Sequence, residues 1–323
     1  MSEIKIPGGG DRLDEAIPVY AFQEVEGLSS AEEIEGLTDV PKSFGRLAWT
    51  RFRHHRLALL GGIGLILIVL LFILGPMLSD FTFDERNVAN RLQGPSRDHW
   101  FGTDEIGRDL FVRTAQGGRY SMRIGVMAAV AATLAGTLLG ATAAYFGSWV
   151  DGFISQVINM VLIVPALLIL SVFALYFGGD ANSLAIVLAF LLWTRIARVV
   201  RGVVLSIKEQ EYIMAARAAG ASHMRIILRH VLPNVIGPVV VEVTLLLGTV
   251  IVLESTLSFL GLGVQPPNAS LGTLVADAKG SIDDDPIRVL TPGLFIVAIV
   301  LCVNFLGDGL RDALDPRSRN ERG

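Results

Sequence analysis

Six stretches of this chain hold apolar residues almost without interruption, and the polar residues collect between them. The stretches run Leu57–Leu78, Ile124–Phe146, Phe153–Phe177, Ser183–Val204, Val235–Leu257 and Val289–Leu310. Each exceeds the roughly 20 residues that an α-helix needs to cross a bilayer core. The pattern therefore predicts an all-α membrane protein with six transmembrane helices. The third stretch carries Pro165. The second, "GVMAAVAATLAGTLLGATAAYFG", is weakly apolar and taken alone also fits a buried soluble helix; five companions in the same chain decide for the membrane. Gly136 and Gly140 form a GxxxG step on one face of that span, although 34 glycines make chance matches frequent.

The polar segments supply direction. Residues 1–40 are acidic, with a glycine triplet and no sustained period, which predicts a disordered cytoplasmic tail rather than a signal peptide. Residues 41–56, "PKSFGRLAWTRFRHHR", are strongly basic and hold Trp49 and Phe52, as an interfacial segment on the inner leaflet does. The membrane domain then spans residues 57–323. The inner end of span four and the loop to span five carry Arg195, Arg198, Arg201, Lys208, Arg217, Arg225 and Arg229, against Glu209 and Glu211. After span six come Arg311, Arg317, Arg319 and Arg322. An even number of spans puts these three basic segments on one face, and basic flanks stay cytoplasmic. Both termini are thus expected inside, with 79–120 and 264–287 outside; the second outer loop carries the acidic run Asp283–Asp285.

Composition agrees: 52% of residues are apolar, 18% charged, and mean hydropathy is +0.55. A net charge of −4 says little about partners when charge varies so much along the chain. The one cysteine, Cys302, lies in an apolar run, so there is no disulfide framework.

Between spans four and five, both apolar enough to sit in lipid, lies "EYIMAARAAGASHMRIILRHVLPN", residues 211–234. Ala215 and Ala219, and Ala216 and Gly220, are four apart and stack on one helix face without bulk. Gly220 suits a helix C-terminus and Ser222 an N-cap. One helix, opening at Glu211, should end at Gly220 and a second should run at an angle to about Val231. Leu232 precedes a proline and is expected extended; Pro233 suits the first turn of span five. Two readings stay open on these residues: a docking element that transmits force, or an amphipathic connector.

The segment resembles the EAA loop of binding-protein-dependent ABC importer permeases, whose pattern is Glu-Ala-Ala, three residues, Gly, nine residues, Ile, one residue, Leu-Pro. Ala215, Ala216, Gly220, Leu232 and Pro233 match it; Met214 replaces the Glu and His230 the Ile. With "RFRHHRLALLGG", "HWFGTDEIGRDLFVRTAQGGRYSMRIG" and "ESTLSFLGLGVQPPNASLG", the chain from about residue 41 resembles the C-type permease subunit of dipeptide, oligopeptide and nickel importers. The resemblance implies a type I ABC importer permease fold in a prokaryotic inner membrane. It implies a second permease, two ATPase subunits that hold ATP and Mg, and an extracytoplasmic solute-binding protein. The loop 211–233 would couple to an ATPase. The solute would be a di- or oligopeptide, with nickel or another small solute as the alternative. The chain itself has no GxxxxGK[ST] loop, so no cofactor and no catalysis are expected on it, nor any contact with nucleic acid.

Other polar residues carry weaker signals. Arg195, Arg198 and Arg201 recur every third residue, as in a voltage sensor, but three at an inner span end fit snorkelling or support of the loop better. Glu242 and Glu254 fall within span five and are expected to line the pathway or pair with a polar group. Asp308 and Arg311 are spaced for a helix-surface pair. In "HWFGTDEIGRDLFV", Gly102 and Thr103 form a break, and Thr103 or Asp104 could cap a helix on the outer leaflet. Leu110, Phe111 and Ala115 would then face lipid, and Arg108 and Asp109 water. The segment, with Gly102, Thr103, Asp104, Gly107, Arg108 and Asp109, reads as a gate or docking surface for the binding protein, or as a membrane-edge anchor. A secondary transporter would need paired discontinuous helices, and a membrane enzyme a motif such as HExxH or GxSxG; the sequence shows neither.

Overall fold

A computed structural model describes residues 44–177 and 179–314; the acidic tail expected at 1–40 and the arginines at 317, 319 and 322 lie outside them. Among the described residues, those from Ala48 onward form one compact unit. Apart from an isolated bridge between Thr103 and Asp109, regular structure among the described residues is helical.

The basic segment forms helix α1, Phe44–His54. His55 then caps α2, Arg56–Leu74, by accepting from the Ala58 N–H at 3.1 Å. At the far end of α2, Arg119 donates from Nε to the Phe72 carbonyl (2.5 Å) and also to the Ile73 carbonyl, a cation placed on the negative end of a helix. Helix α3, Leu110–Phe146, is 37 residues long and closes on Gly147, whose φ of +65° only glycine adopts freely. The outer-leaflet helix expected before span two is therefore the first third of span two itself. Its cap is Asp109, which accepts from the Val112 N–H at 2.8 Å; neither Thr103 nor Asp104 serves. Leu110, Phe111 and Ala115 are buried inside the protein rather than facing lipid, and Asp109 is 3% exposed rather than facing water. The apolar stripe is there, but it meets the bundle rather than lipid.

The third apolar stretch is not one helix. It forms α4, Ser148–Ile163, and α5, Ala166–Phe177, bent by 86°. Val164 is extended (φ −85°, ψ 129°), the geometry that a following proline imposes. Asp180 then caps α6, Ala181–Lys208. Helices α3 and α6 run parallel. Arg123 bonds Asn182 (3.1 Å) at one end, and Lys208 donates to the Ala144 carbonyl (3.1 Å) at the other. Residues 148–180 must therefore carry the chain back along the full length of the bundle, so the bent pair counts as the sixth span beside five continuous ones. Parallel packing at this closeness needs small residues. A Cβ on Gly136 would sit 2.6 Å from Ile196 Cβ, and one on Gly140 would collide with the Ala197 carbonyl. The GxxxG step is the contact surface.

Helix α7, Glu211–Ala218, and the short α8, His223–Ile226, lead through a π-turn, Ile227–Val231, into α9, Leu232–Phe259. Leu232 is helical (φ −56°, ψ −45°), not extended as the following proline predicted. Its N–H reaches back five residues to the Ile227 carbonyl. That widening opens the turn against which the Pro233 ring would otherwise clash. Asn234 Nδ2 donates to the His230 carbonyl at 2.6 Å. The short α10, Leu271–Ala278, precedes the last span, α11, Ile287–Leu314, which packs antiparallel to α2 and α9. Asp308 and Arg311 form no ion pair among the described residues; Asp312, one turn on, lies 3.5 Å from His55 Nε2 instead.

Candidate functional site

Two polar constructions occupy opposite ends of the bundle. The first is the 211–233 hairpin. Glu211 stands exposed in the first turn of α7, where a carboxylate favours the helix dipole. The helix closes on Gly220 (φ +78°) in a Schellman motif: Gly220 N–H bonds the Arg217 carbonyl (2.9 Å) and Ala221 N–H the Ala216 carbonyl (3.0 Å). Ser222 caps the next helix by accepting from the Arg225 N–H at 3.4 Å. Ile213, Ile226 and Val231 are fully buried and root the hairpin in the core. Ala215, Ala219, Gly220 and Ser222 are exposed and Ala216 half-buried, so the small face points outward. Leu232 and Pro233 join it to α9 without a break.

A lateral contact fixes the hairpin against α3. Tyr145 Oη lies 2.9 Å from His223 Nδ1, and the Arg217 guanidinium stacks over the Tyr145 ring at 5.4 Å. Sequence reasoning missed this cluster, because Tyr145 lies 78 residues from His223 and sits inside an apolar run. Along the same end, Arg201 makes a bidentate pair with Asp151 (2.6 and 2.7 Å), and Arg195 pairs with Glu242 at 3.1 Å. Two of the three regularly spaced arginines thus tie neighbouring helices to α6.

The second construction is the loop before α3. Asp104 accepts from the Ile106 and Arg108 N–H groups, from Arg108 Nε (2.6 Å) and from Arg113 Nη1 (3.0 Å). Thr103 is fully buried; it accepts from the Gln93 N–H at 2.9 Å and donates to the Asn90 carbonyl. Gly102 and Gly107 hold φ near +80°, and a Cβ on Gly107 would strike the Asn87 carbonyl. Asp109, besides capping α3, lies 2.8 Å from His99 Nδ1, and both are buried. Beside this loop opens a cleft of about 720 Å³, whose charged lining includes Glu105, Arg108, Asp277 and Lys279. Desolvation raises the Asp277 pKa; the positive charge of Arg108 opposes this, while the carboxylates of Asp104 and Glu105 add to it. Its side chain is still 63% exposed, so solvent screens much of that interaction.

Within span five, Glu254 is completely buried. Ser121 Oγ donates to it at 2.9 Å and Ser258 Oγ at 2.7 Å. Ser121 accepts in turn from the Leu271 N–H (3.1 Å), and Ser258 from Ser270 Oγ (3.0 Å). Ser270 caps α10. The carboxylate thus stands at the junction of α3, α9 and α10.

A helical membrane bundle with an exposed small-faced hairpin between spans can be matched to known proteins. The model of the family described as binding-protein-dependent transport system inner membrane component matches residues 136–320, from the middle of α3 past the end of α11. The N-terminal TM domain of oligopeptide transport permease C matches residues 43–95. The chain belongs to this permease family. The permease is 41% identical over 299 residues to the oligopeptide transport system permease protein OppC of Escherichia coli, covering 92% of this chain and 97% of that one. It is 40% identical over 275 residues to the dipeptide transport system permease protein DppC of Alkalihalophilus pseudofirmus, covering 85% and 90% respectively. Among solved structures, the MetNI methionine ABC transporter in an inward-facing form aligns with a TM-score of 0.53 at 20% identity, over 63% of this chain and 96% of that one. The fold is therefore that of a type I importer permease, and the permease is a multi-pass inner-membrane protein. Its hairpin falls inside the main matched range, and the Thr103–Asp109 loop falls between the two.

Proposed function

We propose that this chain is one of two permease subunits of an ABC importer that carries di- or oligopeptides across a prokaryotic inner membrane. The relatives named above as dipeptide and oligopeptide permeases support the solute class. Two cytoplasmic ATPase subunits, binding ATP and Mg, drive the cycle, and an extracytoplasmic binding protein delivers solute. The chain has no phosphate-binding loop of its own, so energy reaches it by contact. Both termini and the hairpin face the cytoplasm.

The observation that carries this reading is the hairpin's construction. Ala215, Ala219 and Gly220 are exposed, Ile213, Ile226 and Val231 root the hairpin in the core, and it continues into α9 without a flexible joint. A partner seated on Ala215, Ala219 and Gly220 would move α9 as a lever, the rigid-body motion that alternating access needs. In a purified complex in liposomes, Ala219→Glu and Gly220→Glu test it. Ala219 is exposed at the C-cap of α7 with a negative φ (−75°) that any residue adopts, so its variant disturbs only what docks there. Gly220→Glu adds the cost of a side chain at positive φ, about 1–2 kcal/mol. Insertion should be unchanged, while ATP hydrolysis stimulated by loaded binding protein falls roughly tenfold, the equivalent of about 1.4 kcal/mol of docking energy. Wild-type subunit stoichiometry, hydrolysis and uptake in both variants would leave the hairpin a mere connector.

A further inference from the structure

Helix α4 has two unlike faces. Ile158 is buried, and Ile154, Val157 and Val161 pack beside it on the core. On the opposite face Gly152, Gln156, Asn159 and Ile163 follow at spacings of four, three and four, and all are exposed. Gln156 and Asn159 make no hydrogen bond among the described residues. Asn159 lies eleven residues from the start of α4 at Ser148, roughly 16 Å along the axis. That depth is about half of a hydrocarbon core of roughly 30 Å. Two primary amides turned into lipid at this level would hold their polar atoms unpaired, which a bilayer penalises strongly.

The break at Val164–Pro165 adds a second, independent observation. Helix α4 ends there, where the last carbonyls of a helix lack intrahelical donors, and Ile163, Val164 and Pro165 are all exposed. Broken backbone at membrane depth persists only where protein covers it or water reaches it. Among the described residues, none covers Ile163, Val164 or Pro165. Between Gly152 and Phe177 there is also no Asp, Glu, Lys, Arg or His.

We infer that the Gly152–Gln156–Asn159 stripe and the adjoining break line the solute pathway near the membrane midplane, where the two side-chain amides hydrogen-bond to the backbone amides of a passing peptide. This rests on the permease reading. A wall of neutral amides and free carbonyls offers donors and acceptors to any peptide group. Lacking charge, it neither traps nor repels particular side chains. Glycine at 152 keeps the approach open on the cytoplasmic side of the amides.

The test uses the whole transporter in liposomes, with Cys302→Ser as the parent. Gln156→Cys and Asn159→Cys are probed with a membrane-impermeant thiosulfonate, and Leu67→Cys on the lipid-exposed side of α2 serves as reference. The amide positions should react roughly tenfold faster than the reference, because a thiol ionises only where water reaches it. Loaded binding protein carrying an alanine tripeptide, with ATP, should slow that reaction. Asn159→Leu should lower tripeptide uptake roughly fivefold or more while stimulated hydrolysis persists, and Asn159→Gln should restore it. Unreactive cysteines in every state would overturn the inference, placing the stripe against lipid or the second permease. So would free reactivity with wild-type uptake in both Asn159→Leu and Gln156→Leu. Loss of stimulated hydrolysis in the parent would instead fault the permease reading itself.

Discussion

Glu254 shows how one residue can organise the end of the bundle opposite the hairpin. Its two oxygens receive hydroxyls from Ser121 on α3 and from Ser258 on its own helix, and each hydroxyl passes the chain on towards α10. Every oxygen in this relay has a partner. Glu254→Gln keeps the shape and an acceptor, and the serine hydroxyls can rotate to meet its amide. Glu254→Leu leaves two buried hydroxyls without acceptors, at about 1–3 kcal/mol each. The unfolding midpoint of the purified complex should therefore drop slightly for Gln and by several degrees for Leu, with a matching loss of complex yield. Equal midpoints for both variants and wild type would deny the carboxylate a structural role. The sequence made a carboxylate in an apolar run conspicuous but hid its partners. Ser121 is 133 residues away, and no local period links it to span five. The same holds for Tyr145 and His223. Gly220 and Ser222, by contrast, were readable because helix caps are local chemistry.

At the scale of elements, the prolines mark the limit of sequence reading. Pro165 breaks its span by 86°, Pro233 is absorbed by a π-turn, and Pro238 and Pro292 lie inside helices that continue through them. A proline always removes one N–H; whether the helix breaks depends on what surrounds the freed carbonyl. The amphipathic start of α3 was likewise visible, whereas its burial was not, since lipid and protein interior select the same apolar stripe. What fixes that start is Asp109, which caps α3 and holds His99 at once. Asp109→Ala loses the cap, about 1–2 kcal/mol, and strands a buried imidazole. The loop before α3 should loosen while α3 itself persists. Trypsin added to the outer face should then cut after Arg97 and Arg108 faster than in wild type, while Asp109→Asn, which keeps an acceptor for Val112, should fall between. Identical cleavage rates in all three proteins would show that the loop is held by Asp104 and Thr103 alone.

For the whole molecule the governing fact is direction. Parallel α3 and α6 require residues 148–180 to return across the bundle, so the chain crosses an even number of times although one crossing is bent. That parity gathers α1, the hairpin and the end of α11 at one end, and 79–109 with α10 at the other. The end with α1 and the hairpin carries Arg51, Arg53, Arg217, Arg225 and Arg229, and Arg311 belongs to the last turn of α11 there. Moving such a cluster across a bilayer is unfavourable, so this end should stay in the cytoplasm. Ser222 at the hairpin and Ser96 in the loop before α3 are both exposed, so each reports its own side. In a Cys302→Ser background, Ser96→Cys should react with an impermeant thiol reagent on intact cells. Ser222→Cys should react only after the membrane is opened. The reverse pattern would invert the assignment and put the hairpin beyond reach of any cytoplasmic ATPase. Reaction at both positions in intact cells would mean that the bent α4–α5 pair does not complete its crossing.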